Sequence, residues 1–69
     1  MRRVFLVQHL IRAGCELEGE EPTHSNWVNP NGDQRAQVPR QLEIETTDAE
    51  KIYAALGIEN PAEDITTIH

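Results

Sequence analysis

Residues 24–38 read HSNWVNPNGDQRAQV, and the arrangement of the whole chain follows from them. Residues 29–33 (NPNGD) favour a turn, because proline fixes φ while glycine and asparagine tolerate positive φ. The flanking segments, from about His24 to Asn29 and from Gln34 to Val38, are therefore predicted to be two antiparallel strands joined by a somewhat long loop. Pro39 ends the second strand, since proline cannot donate the hydrogen bond that a continuing ladder requires.

A helix is predicted before this hairpin, from about Arg3 to Ala13, because apolar residues recur there at helical spacing and Gly14 follows as a helix-ending glycine. Phe5 lies off the apolar stripe of this helix, and surplus apolar surface of this kind commonly marks an interface. The stripe itself should face a sheet, and it consists of Leu6, Val7, Leu10 and Ile11.

A third strand is predicted between this helix and the hairpin. Cys15, Leu17 and Gly19 alternate with glutamates, and a period of two is typical of a half-buried strand. The polar stretch from Gly19 to Thr23 then forms a turn.

A second helix is predicted after a connector from Arg40 to Thr46. Residues 47–50 (TDAE) have the spacing of a capping box, and Gly57 ends the helix, with Ile58 packing just beyond it. The fold class is therefore α+β, with the order helix, three-stranded antiparallel sheet, helix. Residues 1–58 form a single domain, and residues 59–69 form a loosely held acidic tail.

Composition limits the functions that the chain can have. A chain of 69 residues buries a small core, and its one cysteine, Cys15, cannot form an internal disulfide. No spacing of His and Cys predicts a structural metal site, and no segment reaches signal-peptide or membrane-spanning length, so we expect a cytoplasmic protein without a metal or cofactor.

The net charge of −6 argues against a general nucleic-acid-binding surface, because phosphate binding depends on Lys and Arg. The charges are unevenly distributed, however. Residues 1–13 contain three arginines and no acid, and residues 33–40 contain Arg35 and Arg40 against Asp33 alone. One face could be locally basic, although the alternative is that these charges merely solvate the surface.

Three histidines remain as candidates for chemistry, because no phosphate-binding glycine loop or paired metal-ligand histidines occur. His9 is interpreted as a surface residue and His69 as a frayed terminal one. His24 lies where a turn enters a strand, and its unperturbed pKa of about 6.5 suits a general base or acid without a metal. From composition alone, an ordinary histidine at a strand end remains the alternative, and Trp27 is more often a core residue than a platform for a base.

Five short motifs follow one another along the chain: Gly14-Cys15, His24-Ser25 followed by Trp27, Val38-Pro39-Arg40, Glu43-Ile44, and the helix end Leu56-Gly57-Ile58. In this order and spacing they resemble the HicA family of bacterial toxins over residues 6–58. The resemblance implies a double-stranded-RNA-binding-domain-like fold, cleavage of messenger RNA without a metal, and a HicB-family antitoxin that masks the toxin.

The resemblance implies that His24 is the histidine needed for RNA cleavage. An imidazole that takes the proton from a ribose 2′-hydroxyl lets that oxygen attack the adjacent phosphate, and this requirement restricts the substrate to RNA. Arg40 and Arg35 would then bind phosphate. Gln41 stands where the family commonly has a second histidine, and it would contact the substrate by hydrogen bonding alone.

Other features favour a rival hypothesis. Pro22 stands where the family usually has glycine. The family is also typically basic, whereas this chain has a net charge of −6. The rival is a catalytically weakened or inactive interaction module of the same fold, which binds a HicB-like protein or a second copy of itself. A third alternative, a passive double-stranded-RNA binder, is the least compatible with the acidic composition.

Overall fold

The computed structural model describes residues 1–60 and confirms the predicted α+β arrangement. Within the described part, no helix is long and apolar enough to cross a bilayer. Most of the predicted tail, residues 61–69, lies outside the described residues. The elements are α1 (Arg3–Arg12), β1 (Glu16–Glu20), β2 (His24–Asn29), β3 (Gln34–Pro39) and α2 (Thr46–Leu56).

The hairpin of β2 and β3 forms as predicted, and its register is regular from the pair His24 and Pro39 to the pair Asn29 and Gln34. The Asn29 side chain supports the turn, because its Oδ1 accepts a hydrogen bond from the Asn31 amide at 3.1 Å. β2 is the central strand of the antiparallel sheet β1-β2-β3. β3 extends one residue beyond the prediction, to Pro39, which is tolerated because β3 is an edge strand.

The core lies between the two helices and one face of the sheet. Burial alternates along β2, so that Ser25, Trp27 and Asn29 face the helices. His24 and Asn26 therefore point to the opposite face, which we call the open face. The ten buried apolar residues form one cluster: Leu6, Leu10, Cys15, Trp27, Val38, Ile44, Ala49, Ile52, Tyr53 and Leu56.

The predicted half-buried alternation of β1 is wrong. Leu17 is 49% exposed, and the strand continues to Glu20 instead of turning at Gly19. A bulge between Leu17 and Gly19 shifts the register against β2, so that Leu17 pairs with Trp27 while Gly19 pairs with Asn26. In an edge strand that is interrupted by a bulge, alternate side chains are not all held against the core.

The predicted stripe of α1 is correct for Leu6 and Leu10, which are fully buried, but wrong for Ile11, which is 58% exposed. Ile11 lies about 100° around the helix from Leu10 and about 140° from Leu6, and therefore turns away from the sheet. Gly14 adopts a positive φ of 91° just after the helix, as a helix-ending glycine should.

The predicted capping box of α2 is also wrong. The helix begins at Thr46, its N-cap is Glu45, and no side chain caps it, so Thr47 lies inside the first turn. The C-terminal prediction is confirmed, because Gly57 has a φ of 69° and the Ile58 amide donates to the Tyr53 carbonyl at 3.0 Å.

Candidate active site at the β2–β3 hairpin

His24 is the first residue of β2 and lies half-buried on the open face, opposite Pro39 of β3. Its Nδ1 lies 3.1 Å from the Thr23 hydroxyl. In the tautomer in which Nδ1 donates to this hydroxyl, Nε2 keeps its lone pair. No other described residue hydrogen-bonds the ring, so Nε2 can accept a proton from a substrate.

Arg40 lies at the same end of the hairpin as His24. Its amide donates to the Thr23 carbonyl at 3.3 Å, which places the two chain segments side by side. Its guanidinium donates from Nη1 to the Glu21 carbonyl at 3.0 Å and lies 3.7 Å from the Glu20 carboxylate. A guanidinium has five N–H groups, so Arg40 retains donors for a phosphate, although Glu20 competes for them.

The turn that leads into His24 is closed by a hydrogen bond from the Glu21 amide to the His24 carbonyl at 2.8 Å. Pro22 occupies this turn and is exposed. The turn therefore forms with proline at this position, and His24 lies at the start of β2. Gln41 follows Arg40 at this end of the sheet and is also exposed.

Arg35 does not lie beside His24. It pairs with Val28, four positions along β2 from His24, which corresponds to about 13 Å. Its guanidinium already donates to Glu18 at 2.9 Å and to Asp33 at 3.0 Å. The hydrogen bond to Glu18, followed by the charge of Asp33, raises the pKa of Arg35 above its usual value.

Neither Arg3 nor Ser25 was predicted to have a role at the site, yet both make hydrogen bonds on its core side. Arg3 donates from Nε to the Pro39 carbonyl at 2.8 Å and from Nη2 to the Ser25 hydroxyl at 2.9 Å. Ser25 is fully buried, and its hydroxyl also accepts a hydrogen bond from the Trp27 indole at 3.1 Å. These hydrogen bonds join helix α1 to β2 and β3 beside His24. The bonded residues are far apart in sequence, so no local sequence pattern could indicate these contacts.

The open face also carries two amide side chains. Asn26 and Gln37 are cross-strand partners, and the other neighbour of Asn26 is Gly19, over which the Asn26 side-chain amide lies. A shallow depression of about 320 Å³ lies here. Its lining residues are Glu18, Asn26, Arg35, Ala36 and Gln37.

His9 is not the free surface residue that we expected. It is half-buried, its ring packs edge-on against Tyr53 with centroids 5.2 Å apart, and its Nε2 lies 2.8 Å from the Glu59 carbonyl. His9 thus connects α1 to α2 and to the segment after it. His69 lies outside the described residues. Over residues 1–60, no group of three or more His, Cys, Asp or Glu side chains is placed to hold a metal ion.

Several large apolar side chains remain exposed on and beside α1. Phe5 is 60% exposed, as predicted, and Leu42 is 86% exposed where its carbonyl accepts a hydrogen bond from the Arg3 amide. We define the exposed apolar face of α1 as Val4, Phe5 and Ile11, which lie within about 120° of the helix circumference, together with Leu42.

Comparison of the chain with models of protein families, with curated proteins and with solved structures found no match.

Proposed function

We propose that the chain is a HicA-like toxin, a metal-independent endoribonuclease that cleaves messenger RNA in the cytoplasm with His24 as the acid/base residue. One observation carries this proposal. The register of the hairpin puts His24 opposite Pro39, and the Arg40 amide bonds to the Thr23 carbonyl, so that His24 and Arg40 lie at the same accessible end of the sheet.

The chemistry follows from this pair of groups. Nε2 of His24 removes the proton of a ribose 2′-hydroxyl, and the oxygen forms a bond to the adjacent phosphorus while the bond to the 5′-oxygen breaks. The products are a 2′,3′-cyclic phosphate and a 5′-hydroxyl, and the leaving oxygen takes its proton from the imidazolium or from water. Arg40 stabilises the additional negative charge on the phosphoryl oxygens.

The hydrogen-bonding groups around His24 make this role physically reasonable. Arg3 bonds to the Ser25 hydroxyl, next to His24 in the chain, and to the carbonyl of Pro39, opposite His24, and such support is what an acid/base residue needs for its geometry. Gln41 can donate a hydrogen bond to the substrate but cannot titrate. Arg35, which is engaged by two carboxylates, contributes little to the binding of the scissile phosphate.

A second candidate function is a non-catalytic interaction module, and the exposed apolar face of α1 favours it. A surface that presents Phe5, Ile11 and Leu42 to water is costly unless a partner covers it. The partner in either case is a HicB-like antitoxin or a second copy of the chain. The two functions are compatible in one molecule, since α1 and the open face are on opposite sides of the sheet.

The proposal is tested by inducing the chain in a bacterial host. Wild type should arrest growth and degrade transcripts, whereas His24→Ala should do neither. His9→Ala is the matched control, because it removes an imidazole on the helix side of the sheet and should leave the arrest unchanged if the variant remains folded. Equal growth of the wild-type and His24→Ala strains would reject the nuclease and favour the interaction module.

A further inference from the structure

We propose that Asn31 is a site of spontaneous covalent modification, at which the side-chain amide is lost and the residue becomes aspartate or isoaspartate. Asn31 is followed by Gly32 in the exposed turn between β2 and β3. The isoaspartyl form is the kind of substrate that a carboxyl methyltransferase modifies with S-adenosylmethionine. The first reaction consumes only water, so it requires neither RNA nor His24 nor a partner protein.

The reaction joins two neighbouring groups of the chain. The Gly32 amide nitrogen loses its proton to hydroxide and forms a bond to Cγ of Asn31, while the bond from Cγ to Nδ2 breaks. Ammonia leaves, and a five-membered succinimide ring remains. Water then opens the ring at one of two bonds. Cleavage between the nitrogen and Cγ gives aspartate, whereas cleavage between the nitrogen and the main-chain carbonyl carbon gives isoaspartate, in which the main chain runs through the side-chain carbons.

The structure leaves both reacting groups accessible. Asn31 and Gly32 are exposed, and no hydrogen bond or ion pair among residues 1–60 holds the Asn31 side chain. Gly32 has no Cβ that would obstruct the approach of its nitrogen to Cγ. The Gly32 amide donates to the Asn29 carbonyl, but at 3.3 Å this hydrogen bond is long and therefore weak.

The other three asparagines of the chain lack this combination of features. Asn29 and Asn60 each precede proline, which has no N–H group and cannot supply the attacking nitrogen. Asn29 is also buried, and its Nδ2 donates to the Leu56 carbonyl at 2.8 Å. Asn26 lies in the central strand, where the next amide belongs to the bulky, buried Trp27. Among the asparagines, the modification should therefore be confined to Asn31.

Modification changes both the charge and the main chain of the turn. A carboxylate at position 31 is ionised at neutral pH and makes the net charge of −6 one unit more negative. In the isoaspartyl form, one additional carbon enters the main chain at the tip of the hairpin. The pair Asn29 and Gln34, which lies next to the tip, should be disturbed first, because His24 and Pro39 pair at the opposite end.

The test follows purified wild-type protein during incubation in mildly alkaline buffer at body temperature. Ion-exchange chromatography should resolve a growing acidic species that is about one dalton heavier, and peptide mapping should place the change at Asn31. An isoaspartyl methyltransferase with labelled S-adenosylmethionine should label this species and not fresh protein. Asn31→Gln is the matched control, because it keeps an exposed amide but requires a six-membered ring. Its acidic species should form at least about tenfold more slowly, since the larger ring positions the reacting atoms less favourably.

A second variant and a peptide make the outcome decisive. Gly32→Ala adds a methyl group beside the attacking nitrogen and should slow the reaction severalfold, and it is compatible with the turn because φ at Gly32 is not positive. Circular dichroism shows whether each variant is folded. Wild-type protein that stays intact while a synthetic peptide of residues 28–35 is converted completely would overturn the proposal. An acidic species that forms at the wild-type rate in Asn31→Gln, or that maps to another asparagine, would overturn it as well.

Discussion

Backbone pairing places His24 and Arg40 at the same end of the hairpin. Proline at position 39 ends the ladder opposite His24, and the next residue, Arg40, bonds back to Thr23. Glu20 reaches the Arg40 guanidinium at 3.7 Å, so a phosphate has to compete with a carboxylate that is largely exposed to solvent. Because exposed ion pairs are weak, a doubly hydrogen-bonded phosphate can displace Glu20.

Gln41 offers a test of the proposed cleavage chemistry. Gln41→His should raise RNA cleavage severalfold, because a second imidazole can supply the general acid for the leaving 5′-oxygen, a contribution of about 10² to 10⁴ when well placed. Initial rates on a defined RNA measure the change. The gain should vanish in a His24→Ala background. If Gln41→His leaves an inactive protein inactive, the defect lies in the Pro22 turn or in the charge.

Much of this site could be predicted from the sequence, because a hairpin places residues at equal distances from its turn side by side. The turn at residues 29–33 determines that His24 faces Pro39 and thus that Arg40 lies near it. The separation of Arg35 follows from the same register, but its ion pair with Glu18 depends on the bulge in β1. The contacts of Arg3 with Ser25 and Pro39 come from the docking of α1 and have no local signal.

The secondary-structure elements differ in how strongly their local sequence determines them. The hairpin and the glycine-ended helix α2 have turn residues whose backbone preferences are strong. β1 has five residues, of which three are glutamate, and its bulge arises from pairing with β2 rather than from its own pattern. For α1, an apolar stripe that was predicted to be continuous includes Ile11, which the small sheet does not cover.

The exposed apolar face of α1 should be an interface. Phe5→Glu should dissociate a dimer or a co-purified complex without unfolding the domain, because Phe5 is 60% exposed and packs little against the core. Sedimentation velocity or light scattering measures the assembly, and circular dichroism measures the fold. Gln8→Glu introduces the same charge one turn away and serves as the control. A strictly monomeric wild-type chain at high concentration, with no co-purified protein, would contradict this prediction.

The chain as a whole combines a small core with an acidic surface. Its one free thiol, Cys15, is buried in the core cluster, and burial raises the pKa of this thiol above its usual value. Burial likewise raises the pKa of the Tyr53 hydroxyl, which lies close to the Met1 sulfur at 3.4 Å. Both groups therefore lose their protons only at a higher pH than when exposed, and Cys15 should react slowly with thiol reagents.

The two raised pKa values predict a loss of stability in alkaline solution. A raised pKa means that the folded state holds its proton more tightly, so the contribution is complete below the unfolded pKa and is lost as the pH rises through the folded one. Urea unfolding should show stability falling above about pH 8.5 through Cys15 and further above about pH 10 through Tyr53. Cys15→Ala should lack the first of these losses. An unchanged stability between pH 8 and pH 11, as expected for exposed thiol and phenol groups, would contradict the burial of both.

The most direct test of His24 as an acid/base residue is cleavage of a short RNA by the purified chain in EDTA. We predict cleavage that leaves a 2′,3′-cyclic phosphate, that is lost in His24→Ala, and that is blocked when a single 2′-deoxynucleotide replaces the ribose at the cleaved position. Cleavage by His24→Ala at the wild-type rate, or cleavage that continues at the 2′-deoxy position, would contradict the proposed chemistry.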